Sequence, residues 1–108
     1  MYLFAWESRA FHGKLKATHA LEIPFVFDNL DRGGVDVFLG EGPKPQHVAA
    51  AMHAAWTSFI HTGNPNGEAL PDWPAYDSER RATVVFDDVS DLVDDPSGAE
   101  RRLWDTLR

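Results

Sequence analysis

The chain has 108 residues, a length that suits one domain with a single hydrophobic core. Its hydrophobic fraction of 44% and aromatic fraction of 12% are typical of a folded protein and exclude a disordered tail. A net charge of −7 argues against nucleic acid as a partner, since no basic cluster is available to neutralise phosphates.

Further classes are excluded by the residues that are missing. The chain has no cysteine, which excludes disulfides and thiolate metal sites. No apolar run approaches the roughly 20 residues that cross a bilayer, so we expect no membrane partner. No signal peptide follows Met1, and the cytoplasm is the expected location.

The first predicted element is a strand near residues 2–6, a short aromatic and apolar run. Such a run fits a strand that is buried on both faces inside a parallel sheet. A polar loop around His12 follows. Pro24 argues against a central strand in the next apolar run, because proline cannot donate to a ladder but is tolerated in the first turn of a helix. We therefore predict a short helix starting near Leu21, and one irregular loop over residues 28–45.

The most strongly patterned element is a helix over residues 46–62. Its apolar residues recur mainly at spacings of three and four and form one stripe: Val48, Met52, Ala55, Trp56, Phe59 and Ile60. Gly63 fits a left-handed cap at its end, and Pro65 prevents continuation. We expect this stripe to be buried against a sheet.

A second strand is predicted near residues 82–87, where β-branched and aromatic residues are concentrated. The acidic stretch over residues 87–100 lacks the ligand spacing of a calcium-binding loop and is predicted to be solvated. A final helix is predicted over residues 97–107. Its apolar face consists of Leu103, Trp104 and Leu107.

Among residues able to carry out chemistry, His19 stands at the head of a dense apolar run. An imidazole can take up and release a proton near neutral pH, so one held by a rigid segment suits proton transfer. A structural histidine would give the same local pattern. Glu22 follows three positions later, where its carboxylate would have to curl back to reach the imidazole.

A metal site is another interpretation of the five histidines. His53 and His61 are eight positions apart on the predicted helix, which separates them by ~12 Å, whereas shared ligation from a helix needs a spacing near four. We therefore expect neither a metal nor another cofactor.

The segment Thr18–Phe27, Thr-His-Ala-Leu-Glu-Ile-Pro-Phe-Val-Phe, resembles the histidine segment of the type B carboxylesterases. This branch of the α/β-hydrolases includes the para-nitrobenzyl esterases and the cholinesterases. Other stretches fall in the family's order: Tyr2–Trp6, Trp56–Phe59, Thr62–Asn66, Trp73–Tyr76 and Leu103–Asp105. The resemblance implies an α/β fold in which residues 1–108 form a single C-terminal segment of an α/β-hydrolase domain. One departure is Lys16, where the family usually has glycine.

The resemblance also implies that His19 is the general base of a serine esterase and that Glu22 supports the helix start. The chain would act on a small ester substrate together with the upstream part of the same hydrolase. No serine here stands in the family's Gly-x-Ser-x-Gly motif, and the acid and oxyanion segments are not found. The chain alone is therefore expected to be inactive.

A hypothesis from a different class is a non-catalytic interaction or self-association module derived from an esterase tail. A serine motif encoded in frame upstream would favour the enzyme, and a separate start codon with a promoter would favour the module. Four tryptophans and seven phenylalanines are many for this length. They predict apolar surface that the chain alone does not cover, and hence a homodimer.

Overall fold

The computed structural model describes residues 1–107 and confirms the predicted α/β class. The elements in chain order are β1 (Tyr2–Phe4), α1 (Ala10–Gly13), α2 (Ile23–Val26), α3 (Val35–Leu39), α4 (Gln46–Thr62), β2 (Ala82–Phe86), β3 (Asp91–Asp94) and α5 (Gly98–Asp105). Across these residues no helix combines the length and the hydropathy needed to span a bilayer.

The three strands form one sheet in the order β1-β2-β3. Strand β1 runs parallel to β2, with Tyr2 opposite Val84, and β3 runs antiparallel to β2. Both predicted strands are confirmed, but β1 is shorter than predicted. The N–H groups of Ala5 and Trp6 both donate to the Phe86 carbonyl, at 2.8 and 3.2 Å, and this shared acceptor ends the ladder.

The predicted burial of β1 is wrong. The strand lies at the edge of the sheet, with a partner on one side only among residues 1–107, and Leu3 is exposed. The parallel pairing predicted from its composition is confirmed. The apolar composition of β1 thus predicted a parallel sheet correctly, but composition alone does not indicate whether a strand has one neighbour or two.

Three elements lie where loops were predicted. The first, α1, overlaps the polar loop predicted around His12, but Phe11 and His12 within it have φ of 51° and 57°, so it is not a regular right-handed helix. Strand β3 interrupts the acidic stretch, so the solvated-loop prediction is wrong over Asp91–Asp94; Leu92 packs against the core while the aspartates are exposed. Helix α3 interrupts the loop predicted over residues 28–45. It is only five residues long, between Gly34 and Gly40 with φ of 90° and 80°, too short to show a helical period.

One core joins α2 and α4 to the sheet. Its largest fully buried apolar side chains are Leu21, Phe25, Leu30, Leu39, Met52, Val48, Val84 and Phe86. The Phe25 ring lies 4.9 Å from that of Phe4 and 5.3 Å from that of Trp6, centre to centre. The short helix predicted near Leu21 is confirmed as α2, and this contact anchors it to β1.

Helix α4 has the predicted limits, and Gly63 takes the predicted left-handed conformation, with φ of 76°. The prediction that the whole apolar stripe is buried is wrong for its C-terminal part. Val48 and Met52 are buried, but Phe59 is 52% exposed and Ile60 72%. Helix α5 is confirmed with its ends trimmed, and its predicted apolar face is exposed as well.

Beside the exposed part of α4 lies a groove of about 590 Å³, which we call the aromatic groove. Its aromatic lining consists of Tyr2, Trp56, Phe59, Trp73, Tyr76 and Phe86. It runs between the start of β1 and the C-terminal half of α4. Several of the chain's many aromatic residues therefore lie together on one open surface, the aromatic groove.

Candidate functional site

His19 lies exposed in a turn between Thr18 and Leu21. The Leu21 N–H donates to the Thr18 carbonyl at 3.2 Å, and Ala20 has a positive φ of 67°. A positive φ at the third residue is the feature of type II turns, where glycine is usual. The turn therefore holds the imidazole outside the core by a backbone conformation that is unfavourable for alanine.

Both flanks of this turn are fixed. Leu21, directly after it, is fully buried and leads into α2. On the other side the Lys16 carbonyl accepts a hydrogen bond from the Ser8 N–H at 3.1 Å. Lys16 has a φ of 53°, so it adopts the left-handed conformation that glycine favours. Lys16 stands where the family usually has glycine, but its backbone has a conformation that glycine also adopts. The departure from the family pattern therefore concerns the side chain and not the backbone.

Glu22 precedes α2, and its backbone carbonyl accepts hydrogen bonds from Phe25 and Val26, both at 3.0 Å. Its carboxylate caps none of the helix N–H groups. The support that Glu22 gives to the helix start is therefore made by its backbone. A catalytic or supporting role for its side chain stays a prediction.

A second tie to the histidine segment comes from α4. His53 Nδ1 lies 2.8 Å from the Val26 carbonyl oxygen and donates to it, because a carbonyl can only accept. This bond joins the end of α2 to the middle of α4. The sequence offers His53 only as a possible metal ligand, because no local pattern indicates a hydrogen-bond partner 27 residues away.

The charged side chains form ion pairs at the other end of the chain. The Asp95 carboxylate accepts from Arg101 at 2.8 and 3.2 Å, which links the end of β3 to α5. This hydrogen bonding, with the nearby charges of Arg101, Arg81 and Arg102, holds the pKa of Asp95 below its ordinary value. Among residues 1–107 no three histidine or acidic side chains converge into a metal site.

Three of the serine hydroxyls are bonded to backbone carbonyls away from His19. Ser8 donates to the Phe38 carbonyl, Ser58 to the Asn64 carbonyl and Ser90 to the Asp87 carbonyl. What this part of the chain offers chemically is an accessible imidazole on a fixed turn. Such a group can relay a proton between partners that are brought to it.

Comparison with known proteins identifies relatives over almost the whole chain. Residues 1–101 match the carboxylesterase family. The para-nitrobenzyl esterase of Bacillus subtilis is 36% identical over 102 residues, which are 94% of this chain and 20% of the esterase. The phenmedipham hydrolase of Pseudarthrobacter oxydans is 38% identical over 90 residues, covering 81% of this chain and 18% of that enzyme.

Solved structures agree. A carboxylesterase of Geobacillus stearothermophilus matches with a TM-score of 0.78 and 49% identity, covering 96% of this chain and 21% of that one. A thermophilic para-nitrobenzyl esterase matches with a TM-score of 0.80 and 36% identity, covering 94% and 21%. The chain thus spans about a fifth of the length of these relatives. It belongs to the carboxylesterase family and has the fold of the matching part of an α/β-hydrolase.

Proposed function

We propose that this chain supplies the general base of a serine carboxylesterase and that His19 is that base. The observation that carries the proposal is the placement of His19, exposed on a turn whose two flanks are fixed. Membership of the carboxylesterase family gives this placement its chemical meaning.

In the proposed reaction His19 accepts the proton of a serine hydroxyl as its oxygen attacks the ester carbonyl. The imidazolium then gives that proton to the departing alcohol as the acyl-serine forms. In the second half of the reaction His19 takes a proton from a water molecule as the water oxygen attacks the acyl-serine. The bond to the serine then breaks, the carboxylic acid is released, and His19 returns the proton to the serine oxygen. The serine, the orienting acid and the oxyanion donors belong to the other four-fifths of the fold, so this chain alone is inactive.

The test is a hybrid esterase, in which residues 1–101 replace the matching stretch of the Geobacillus stearothermophilus carboxylesterase. We expect it to hydrolyse a para-nitrophenyl ester. His19→Ala should lower its turnover by roughly 10⁴-fold with the melting temperature retained. His61→Ala removes an exposed histidine at the end of α4 and should leave turnover unchanged.

A loss below tenfold in His19→Ala would make His19 structural and remove the proposal. The isolated chain, assayed at the same concentration, should show no saturable turnover. Turnover that disappears in its own His19→Ala variant would show that the other four-fifths are not needed.

A second candidate function, a non-catalytic self-association module, is favoured by one observation, the open aromatic groove. A hybrid without activity, combined with a stable dimer of the isolated chain, would support this function over the first.

A further inference from the structure

We infer that Ser8 is a positioning residue for His19, because it closes the loop that leads to the histidine. The inference rests on the proposed function of His19. Ser8 is only 2% exposed, whereas the loop it closes is largely at the surface.

Three separate segments meet at Ser8. Its hydroxyl donates to the Phe38 carbonyl at the end of α3 and accepts from the Ala10 N–H at 3.0 Å. Its own N–H donates to the Lys16 carbonyl at 3.1 Å. A single buried side chain thus links the start of the loop to α3, while its backbone links that start to the end of the loop, three residues before His19.

The neighbouring backbone tightens the same junction. The Arg9 N–H donates to the Leu39 carbonyl at 2.9 Å. Two backbone segments approach each other so closely at Gly40 that a Cβ on this residue would stand 2.2 Å from the backbone nitrogen of Ala10. Only glycine fits there, and the contact locks the start of the loop against the end of α3.

The loop needs to be held in place because several of its residues have unfavourable backbone conformations. Phe11, His12 and Lys16 have φ of 51°, 57° and 53°, conformations that a Cβ disfavours. Backbone of this kind persists only where the surroundings determine it. The bonds of Ser8 supply that determination at both ends of the loop.

A general base must hold its nitrogen within hydrogen-bond reach of the reacting oxygen. A misplacement near 1 Å costs about 100-fold in rate. In the hybrid esterase, Ser8→Ala should therefore lower kcat roughly 10- to 100-fold, with KM within about twofold because His19 is not a binding group. The matched control is Thr83→Val in β2, which removes another buried hydroxyl. The Thr83 hydroxyl donates to the Arg81 carbonyl at 3.0 Å. Thr83→Val should cost similar stability and leave kcat unchanged.

A double-variant comparison separates positioning from a general loss of structure. In the His19→Ala background, Ser8→Ala should produce no further fall in the residual rate, because the residue through which it acts is gone. Two results would overturn the inference: a kcat loss no larger than that of Thr83→Val, or an equal loss with and without His19. If His19→Ala itself leaves turnover intact, it is the proposed function that fails, and the inference with it.

Should Ser8→Ala fail to fold, the other end of the bridge gives the same test. Lys16→Gly and Lys16→Val both remove the lysine and its ion pair with Glu7. They differ in that glycine accepts a positive φ and valine does not. Lys16→Gly should keep kcat, and Lys16→Val should lower it roughly 10- to 100-fold. Equal kcat values for the two variants would overturn the inference.

Discussion

The apolar stripe runs along both halves of α4, but it is covered only as far as Ala55. Val48 and Met52 are fully buried, while Phe59 and Ile60 are exposed. The histidine segment is tied to the covered part, through the core and through the bond from His53 to α2. The structure that holds His19 is therefore closed by this chain's own residues, whereas the aromatic groove is left open by residues 1–107.

The largest stability effect should come from the covered region. Phe25→Ala leaves a cavity beneath α2 and should lower the free energy of unfolding by about 3–5 kcal/mol. Phe27→Ala, two residues later on the same segment, removes an exposed ring and should cost less than about 1 kcal/mol. Urea denaturation of the hybrid esterase, followed by circular dichroism, measures both. Equal losses would contradict the comparison, because they would mean that the covered region is not packed as described.

The open region should show itself through association. We expect the isolated chain to form a two-fold dimer of about twice its 12.1 kDa mass, because apolar patches of this kind are seldom left open. Ile60→Glu places a charge in the exposed part of the stripe and should weaken the dimer at least about tenfold.

Thr57→Glu adds the same charge to α4 at an exposed position outside the stripe and should leave association unchanged. Light scattering after size exclusion at micromolar concentration measures the mass of each variant. A monodisperse monomer of the unmodified chain would mean that the open half of α4 needs no cover.

The smallest expected effect concerns Asp95, whose carboxylate is bonded to Arg101. Because its pKa is lowered from 3.8 in the folded chain, its contribution to stability is present above that value. The contribution is lost as the pH falls through the still lower folded pKa.

Asp95→Asn should therefore reduce the drop in melting temperature between about pH 5 and about pH 3, by a few degrees. Asp36→Asn, an exposed aspartate on α3, should keep the full drop. Identical drops in the unmodified chain and in Asp95→Asn would show that the ion pair with Arg101 adds no pH-dependent stability.

The sequence predicted elements well where a local pattern was long enough. Helix α4 follows its stripe from residue 46 to its glycine cap, and both limits were correct. Strand β3 was missed because its aspartates resemble solvated loop, although an acidic edge strand is a usual protection against pairing with other sheets. Helix α3 was missed because five residues carry too little periodicity.

The candidate site was predictable only in part. His19 was found through its family-like segment, but the bonds that fix its surroundings join residues far apart in sequence. Ser8 lies 30 residues from Phe38, and Val26 lies 27 residues from His53. Hydrogen bonds between distant segments produce no recognisable residue spacing in the sequence, so only the structure shows them.

The parallel pairing of β1 with β2 has a consequence for how the chain folds during synthesis. Tyr2 pairs with Val84, so β1 leaves the ribosome about 80 residues before its partner. At usual elongation rates that delay is roughly 4–16 seconds. Closing a loop of this length costs ~4 kcal/mol of chain entropy, whereas the β2–β3 hairpin closes locally. Until β2 is made, the aromatic strand β1 lacks this partner, and an unpaired strand edge in a nascent chain is prone to aggregation and is a target for chaperones.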